Sequence, residues 1–226
     1  MSMDHISKST FNFLNDLKKN NTREWFEEHK KRFKAEEAEV KEFFKSLHDE
    51  MVKHDEIDKA KVFRIYRDVR FSKDKTPYKS HLSASFHRIK PKLRGGYYVH
   101  IEPGNTFIAC GFWEPNKEDL LRIRKEFEID ASEMREIIYD KNFSKLFGKL
   151  VGDEVKTAPK GFDKEHPNID LIKKKQYIFV KNFTDKEATS SGFINEINNS
   201  FKSVRPWFNY MSDVLTTDLN GVSLIN

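Results

Sequence analysis

The residues best suited to chemistry in this sequence are His100 and Glu102, together with a run of cations that precedes them. In an extended segment His100-x-Glu102 projects an imidazole and a carboxylate to one face. A carboxylate beside an imidazole raises its basicity, which suits the pair to general acid–base work. With His100 as the base, activity is expected to rise through the imidazole pKa, around pH 6 to 7. From Lys61 to Arg94 there are eleven Lys/Arg against two Asp, a local balance of +9 in a chain whose net charge is +5. Everything outside that block therefore sums to −4. A concentration of charge of this kind raises the local concentration of anions. Arg64, Arg67 and Arg70 interleave with Phe63, Ile65, Val69 and Phe71. A buried guanidinium is costly unless an anion receives it. These arginines are thus expected to be more buried than surface arginines, with at least two of them meeting a carboxylate or a bound anion.

Arg64, Tyr66, Arg67, Asp68, Arg70, Lys73, Lys75, Lys79 and Tyr98 are the candidate ligand-binding residues, with His100 and Glu102 as the catalytic pair. The turn-rich loop Ser72 to Lys79 offers lysine charge, hydroxyls and backbone N–H groups, a combination that can wrap a phosphate or carboxylate. It is not a Walker A loop, because no Gly-x-x-x-x-Gly-Lys-Ser/Thr occurs in the chain. On a straight strand Arg64 and Arg70 stand roughly 20 Å apart, too far to grip one phosphate. Either a bulge brings Arg67 onto the polar side, or Arg67 pairs with a helix carboxylate such as Glu24, Glu27 or Glu28. His81, His87, His100 and Glu102 are metal-ligand types. The surrounding positive charge opposes a dication, however, and His81 and His87 are again about 20 Å apart on a straight strand. No metal is assigned, and the cofactor is left open. Cys110, in an apolar run, reads as a small core residue. No Gly-x-Ser-x-Gly elbow or His-Glu-x-x-His helix is present.

The elements that must position these residues follow from periodicity. Thr10 is expected to cap a helix to about Lys19 and Thr22 to cap a second, with Val40, Phe44, Leu47 and Met51 carrying the helical stripe to about His54. From there the period falls to two, over Phe63 to Phe71, Leu82 to Phe86, Tyr97 to Ile101 and Thr106 to Trp113. Pro103-Gly104-Asn105 reads as a tight turn. A two-residue turn there places Phe107, Ala109 and Gly111 on the face of Tyr98 and His100, where small residues would leave a hollow. Helical periodicity resumes from Asn116, with a capping-box pattern at Asp130 and Glu133. A short helix near Pro167 to Lys174, a strand from Gln176 to Lys181, and a last helix restarted by Pro206 complete the chain.

The expected fold is α+β: a single domain over residues 1–226, with a mainly antiparallel sheet packed by N- and C-terminal helices. The helical layer spans about 9–54 and the sheet about 62–113. Helices, a loop and a further strand span about 116–216, before a short C-terminal tail. Charged residues make up 34% of the chain, yet twenty Phe and three Trp supply bulk for a core. The longest apolar run, Phe107 to Trp113, is far short of the roughly 20 residues of a membrane span. No signal-peptide pattern opens the chain, and one cysteine excludes intrachain disulfides. A soluble, cytoplasmic protein of open oligomeric state is expected.

Phe63 to Lys79 resembles the signature of a widespread, mainly bacterial family of conserved hypothetical proteins, a domain of unknown function. The likeness extends to Arg23-Glu24-Trp25-Phe26, to Gly96 through Gly104, and to Pro159-Lys160-Gly161-Phe162 with His166-Pro167. It implies no activity, cofactor or catalytic residue, so function rests on the residues themselves. They support first a ligand-binding domain or enzyme for a small phosphate- or carboxylate-bearing molecule. The second reading is a nucleic-acid-associated protein, with Tyr66, Tyr78 and Tyr98 available for stacking on bases. The third is an interaction module whose arginines only brace the fold.

Overall fold

The computed structural model describes residues 4–225. Helices α1 (Lys8–Lys19) and α2 (Arg23–Met51) lead to strands β1 (Ile57–Val62), β2 (Leu82–Arg88), β3 (Gly96–Ile101) and β4 (Thr106–Phe112). Helices α3 (Lys117–Ile129), α4 (Ser132–Tyr139), α5 (Lys141–Phe147) and α6 (Ile169–Ile172) precede strand β5 (Tyr177–Phe183). Helices α7 (Asp185–Ala188), α8 (Phe193–Ser203) and α9 (Arg205–Thr216) follow. The strands form one antiparallel sheet in the order β1-β2-β3-β4-β5, flanked by helices from both ends of the chain. This is the expected α+β class. No helix among the described residues is long and apolar enough to cross a membrane.

Ser7, rather than Thr10, caps α1, its hydroxyl accepting the Thr10 N–H at 3.1 Å. Thr22 caps α2 as expected. Asp130 accepts the Ser132 N–H without forming a capping box; the capping box is instead at Thr184 and Glu187, opening α7.

The run Phe63 to Phe71 is not a strand. Outside the named strands, Tyr66 and Tyr78 form an isolated bridge, and the chain between them is an exposed loop. Alternation misleads here because the apolar parity has no face to cover it. Ile65 is buried, but Phe71 at the loop tip is 96% exposed. The edge strand β1 went unread for the opposite reason. Its sequence, Ile57-Asp58-Lys59-Ala60-Lys61-Val62, is almost wholly exposed after Ile57, and lysines on an edge discourage pairing with a further strand.

The chain divides into two compact units. One holds the residues up to Phe86, with Tyr98–Ile108 and Asn182–Asn199. Its core joins Phe44 of α2 to Phe86 of β2, and Phe193 to Phe43 and Phe183. Phe26 stacks on Tyr78 at 3.9 Å, which pins the base of the exposed loop. The other unit holds His87–Tyr97, Ala109–Lys181 and the residues from Ser200 on. Trp207 sits at its centre, edge-on to Phe112 and Phe179.

Within the first unit, Asp4 secures the start of α8. Its carboxylate accepts the Ser191 hydroxyl at 2.6 Å and the Gly192 N–H at 2.9 Å. Those hydrogen bonds, from Ser191, His5 and Gly192 in that order, hold the carboxyl well below its ordinary 3.8. A carboxyl whose folded pKa is depressed stabilises the fold above its unfolded pKa and loses that contribution as pH falls toward the folded value. Asp4→Asn should therefore cost about 1 kcal/mol at pH 7, the worth of a lost cap. In denaturant melts that difference should shrink steadily below about pH 4. A deficit unchanged by pH would show that charge at Asp4 plays no part.

Candidate functional site

Three strand ends in the first unit build the polar cluster. The Pro103-Gly104 turn is closed by the Asn105 N–H donating to the Glu102 carbonyl at 3.0 Å, with Gly104 at φ +73. That two-residue turn sets Phe107 across from His100, and the rings stack at 4.6 Å with an interplanar angle of 14°. His81, the residue before β2, lies over the other side of His100, ring centroids 4.0 Å apart. Glu102, the residue after β3, approaches His100 with Oε2 3.2 Å from Nε2. His81, His100 and Glu102 each offer one ligand atom, and these atoms all lie within 4.8 Å of one another.

The group is held from behind. Tyr98 places its hydroxyl 3.1 Å from His100 Nδ1, and Ser83 hydrogen-bonds Tyr98. Ser80 donates to Glu102 Oε1 at 2.7 Å and Asn105 to Oε2 at 3.0 Å. Lys18, from α1, stands 3.5 Å from Glu102 Oε1. His81 alone receives no hydrogen bond from the described residues; its ring contact is with His100. His100 and Glu102 are buried, and His81 is half-buried.

Electrostatics follow from that burial. Desolvation pushes the His81 imidazole down to about 4, helped by His100 and Lys79 and opposed by Glu102. Desolvation also lowers His100, against the raising effect of Glu102. For Glu102 burial acts upward, but the hydrogen bonds from Asn105, Ser80 and His100 prevail and hold the carboxyl at about 2. Burial depresses the Lys79 ammonium, and Arg64 adds to this. At neutral pH the centre thus carries two uncharged imidazoles, one carboxylate and adjacent lysine charge.

The other candidate residues lie in the loop or next to its base. Arg64 and Arg70 are exposed, contrary to the expected burial; Arg67 is half-buried. The pairing expectation fares better: Arg67 meets Asp74 and Thr76, and Arg70 meets Asp68 at 2.6 Å. Arg67 therefore serves the loop's own turn, not Glu24, Glu27 or Glu28. Tyr66 is 45% exposed, packed edge-on to Phe26. Lys73 and Lys75 are exposed, Lys75 donating to the Val69 carbonyl. Of the basic candidates, Lys79 acts on the cluster directly, through its effect on both imidazoles.

Two readings change, and that of Cys110 stands. Gly111 leaves no hollow, because backbone atoms of Tyr177 and Ile178 already fill the space in front of it. The buried arginine is Arg88, 1% exposed. Burial drives the Cys110 thiol well up, as for a core residue. His166 accepts the Asn168 N–H and serves its own turn. In the sequence His81 is one of the metal-ligand types on the polar face, and its spacing from His87 does not bring it to His100. Lys18 and Ser80 leave no signal in the sequence, since their roles depend on the approach of α1 and on the register of β2 against β3; Asn105, expected only as a turn residue, also donates to Glu102 three residues away. A surface hollow of about 400 Å³ at the start of α8, lined by Thr184, Lys186, Glu187 and Glu196, has its Gly192 amide already taken by Asp4.

No curated protein and no solved structure matches this chain. A family model does, over residues 9–210, and the chain belongs to that family, the conserved hypothetical proteins described as DUF2461.

Proposed function

We propose that this protein binds a small anionic molecule, phosphate- or carboxylate-bearing, at the His81–His100–Glu102 cluster. In this reading the imidazole–carboxylate group is the chemically active part of the site. The observation that supports it is the open imidazole of His81 over the hydrogen-bonded His100–Glu102 pair, with Lys79 beside them. A partly desolvated ammonium gains most from a counter-charge, and Lys79 is such a group. His81 then faces the ligand, while Tyr98, Ser80 and Asn105 fix the pair behind it. Arg64 supplies further positive charge through its field at Lys79. Arg67 and Arg70, occupied by loop carboxylates, fall outside the proposed contact set.

Thermal unfolding with phosphate, nucleotides and small carboxylates tests the reading. A true ligand should stabilise the wild type by about 2.7 kcal/mol at a hundredfold excess over its dissociation constant. Lys79→Met and His81→Ala should lose that gain while melting normally without ligand. A different outcome would favour nucleic acid. Arg70, Lys73 and Lys75 sit on an exposed loop, with Arg64 just before it. Its tip presents Phe71, a 96% exposed ring with the Arg70 guanidinium 5.9 Å from its centroid, an aromatic–cation pair of the kind that stacks on bases. If oligonucleotides stabilise both forms equally and no small anion does, the cluster reading fails.

A further inference from the structure

The same cluster has the composition of a metal centre, and the inference drawn here rests on the site just proposed. We propose that His81, His100 and Glu102 bind one divalent first-row transition-metal ion of the zinc class, leaving at least one coordination position open to the anionic ligand.

Geometry is the first support. Bonds of about 2.0–2.1 Å put neighbouring ligand atoms on a four- to six-coordinate ion roughly 3 to 4 Å apart. The His100 Nε2 to Glu102 Oε2 distance is already 3.2 Å, and all three donor atoms fall within a 4.8 Å span. A side-chain adjustment of about an ångström closes the set. Donor type is the second support. Two imidazoles and one carboxylate suit zinc, iron, cobalt or manganese, whereas magnesium and calcium want oxygen throughout.

The groups behind the donors are the third support. Metal-bound histidines usually hydrogen-bond through their other nitrogen, which fixes the tautomer. His100 has Tyr98 at Nδ1, so Nε2 is the nitrogen facing Glu102. Glu102 is gripped by Ser80 on one oxygen and by Asn105 on the other. Phe107, flat against His100, blocks rotation of the ring on that side. His100 lies within β3, with Glu102 just after it and His81 just before β2, so the donors sit on paired strands or beside them. With the ion present His100 and Glu102 serve as ligands, and the base's part passes to a metal-bound water.

Neighbouring charge sets the condition for binding. One dication and one carboxylate leave a net positive centre beside Lys79 and Lys18. Bare metal binding is therefore weakened, and an anion in the open position restores it. Metal and anion should strengthen each other's binding by the same factor, since linkage is reciprocal.

Calorimetric titration of Zn2+ and Co2+ into chelator-stripped protein, in a buffer without coordinating anions, tests the ion alone. One equivalent should bind. His81→Ala and Glu102→Gln should each weaken binding at least about a hundredfold, and Tyr98→Phe by about ten- to a hundredfold. Lys18→Met should tighten it, a gain that general damage to the fold does not produce. Melting curves in chelator confirm that each variant is folded; His81, half-buried, is the side chain least needed by the core. Visible absorption of bound Co2+ should show imidazole coordination and change when phosphate is added. A stoichiometry other than one, or affinities of His81→Ala and Glu102→Gln within about threefold of wild type, would overturn the proposal. Anion stabilisation measured in chelator reports on the proposed function separately. If it persists while neither ion binds, the metal inference falls alone. If one ion binds and no anion stabilises the protein, the anion reading falls.

Discussion

Gly111→Ala should destabilise the protein by roughly 3 kcal/mol. Gly111 adopts φ +153, and a Cβ there would stand 2.2 Å from the Tyr177 carbonyl oxygen and 2.9 Å from Ile178 Cα. These are backbone atoms of β5, so relief requires β4 and β5 to separate rather than a side chain to turn. Gly104→Ala is the matched control. Its φ is +73, but nothing lies within 4 Å of the added carbon. It should cost only the conformational penalty, about 1 kcal/mol. Denaturant midpoints compare the two directly. A Gly111→Ala protein within about 0.5 kcal/mol of wild type, the range of ordinary surface substitutions, would mean the β4–β5 pairing is looser than described.

The second large effect is expected at Arg88, one of the eleven cations in the basic block. Its guanidinium donates to the carbonyls of Arg94 and Phe208, to Ser212 Oγ and to Asn209 Oδ1, and it lies 5.3 Å from the centroid of the Phe208 ring. Arg88→Ala removes donors from several buried acceptors and opens a cavity, a loss of about 3–5 kcal/mol. Arg88→Lys should recover only part of it, because a single ammonium cannot reproduce a planar fork with five N–H groups. Chemical denaturation of both variants measures the ordering. Equal stability of Arg88→Lys and wild type would contradict the assigned role.

That arginine shows where the sequence was silent. Alternation pointed to Arg64, Arg67 and Arg70 as the buried cations, yet the buried one is in β2, received by acceptors that include Phe208, Asn209 and Ser212 of α9. Acceptors more than a hundred residues away leave no local mark. Elsewhere the local signal was sufficient. His100 and Glu102 two apart on a strand had to share a face, and Pro103-Gly104 fixed the register that puts Phe107 on His100. The helices at both ends were legible because their apolar stripes are long and capped. The strand expected from Phe63 failed because period two is necessary for a half-buried strand but not sufficient. The segment pairs only briefly, through the Tyr66–Tyr78 bridge, and beyond it Arg67 and Arg70 turn to Asp74 and Asp68 in a loop. The third member of the cluster, His81, required knowing how β2 lies against β3. Nothing in one strand's sequence contains that.

The central claim is that His81, His100 and Glu102, with Lys79 beside them, form the ligand site. Its most direct test is a crystal structure of the protein grown with Zn2+ and phosphate, with anomalous data collected at the zinc edge. The account predicts one anomalous peak among the three side chains, with a phosphate on the open side toward Lys79. No density among those three groups, with phosphate bound only to the lysines and arginines of the loop between Tyr66 and Tyr78, would contradict it.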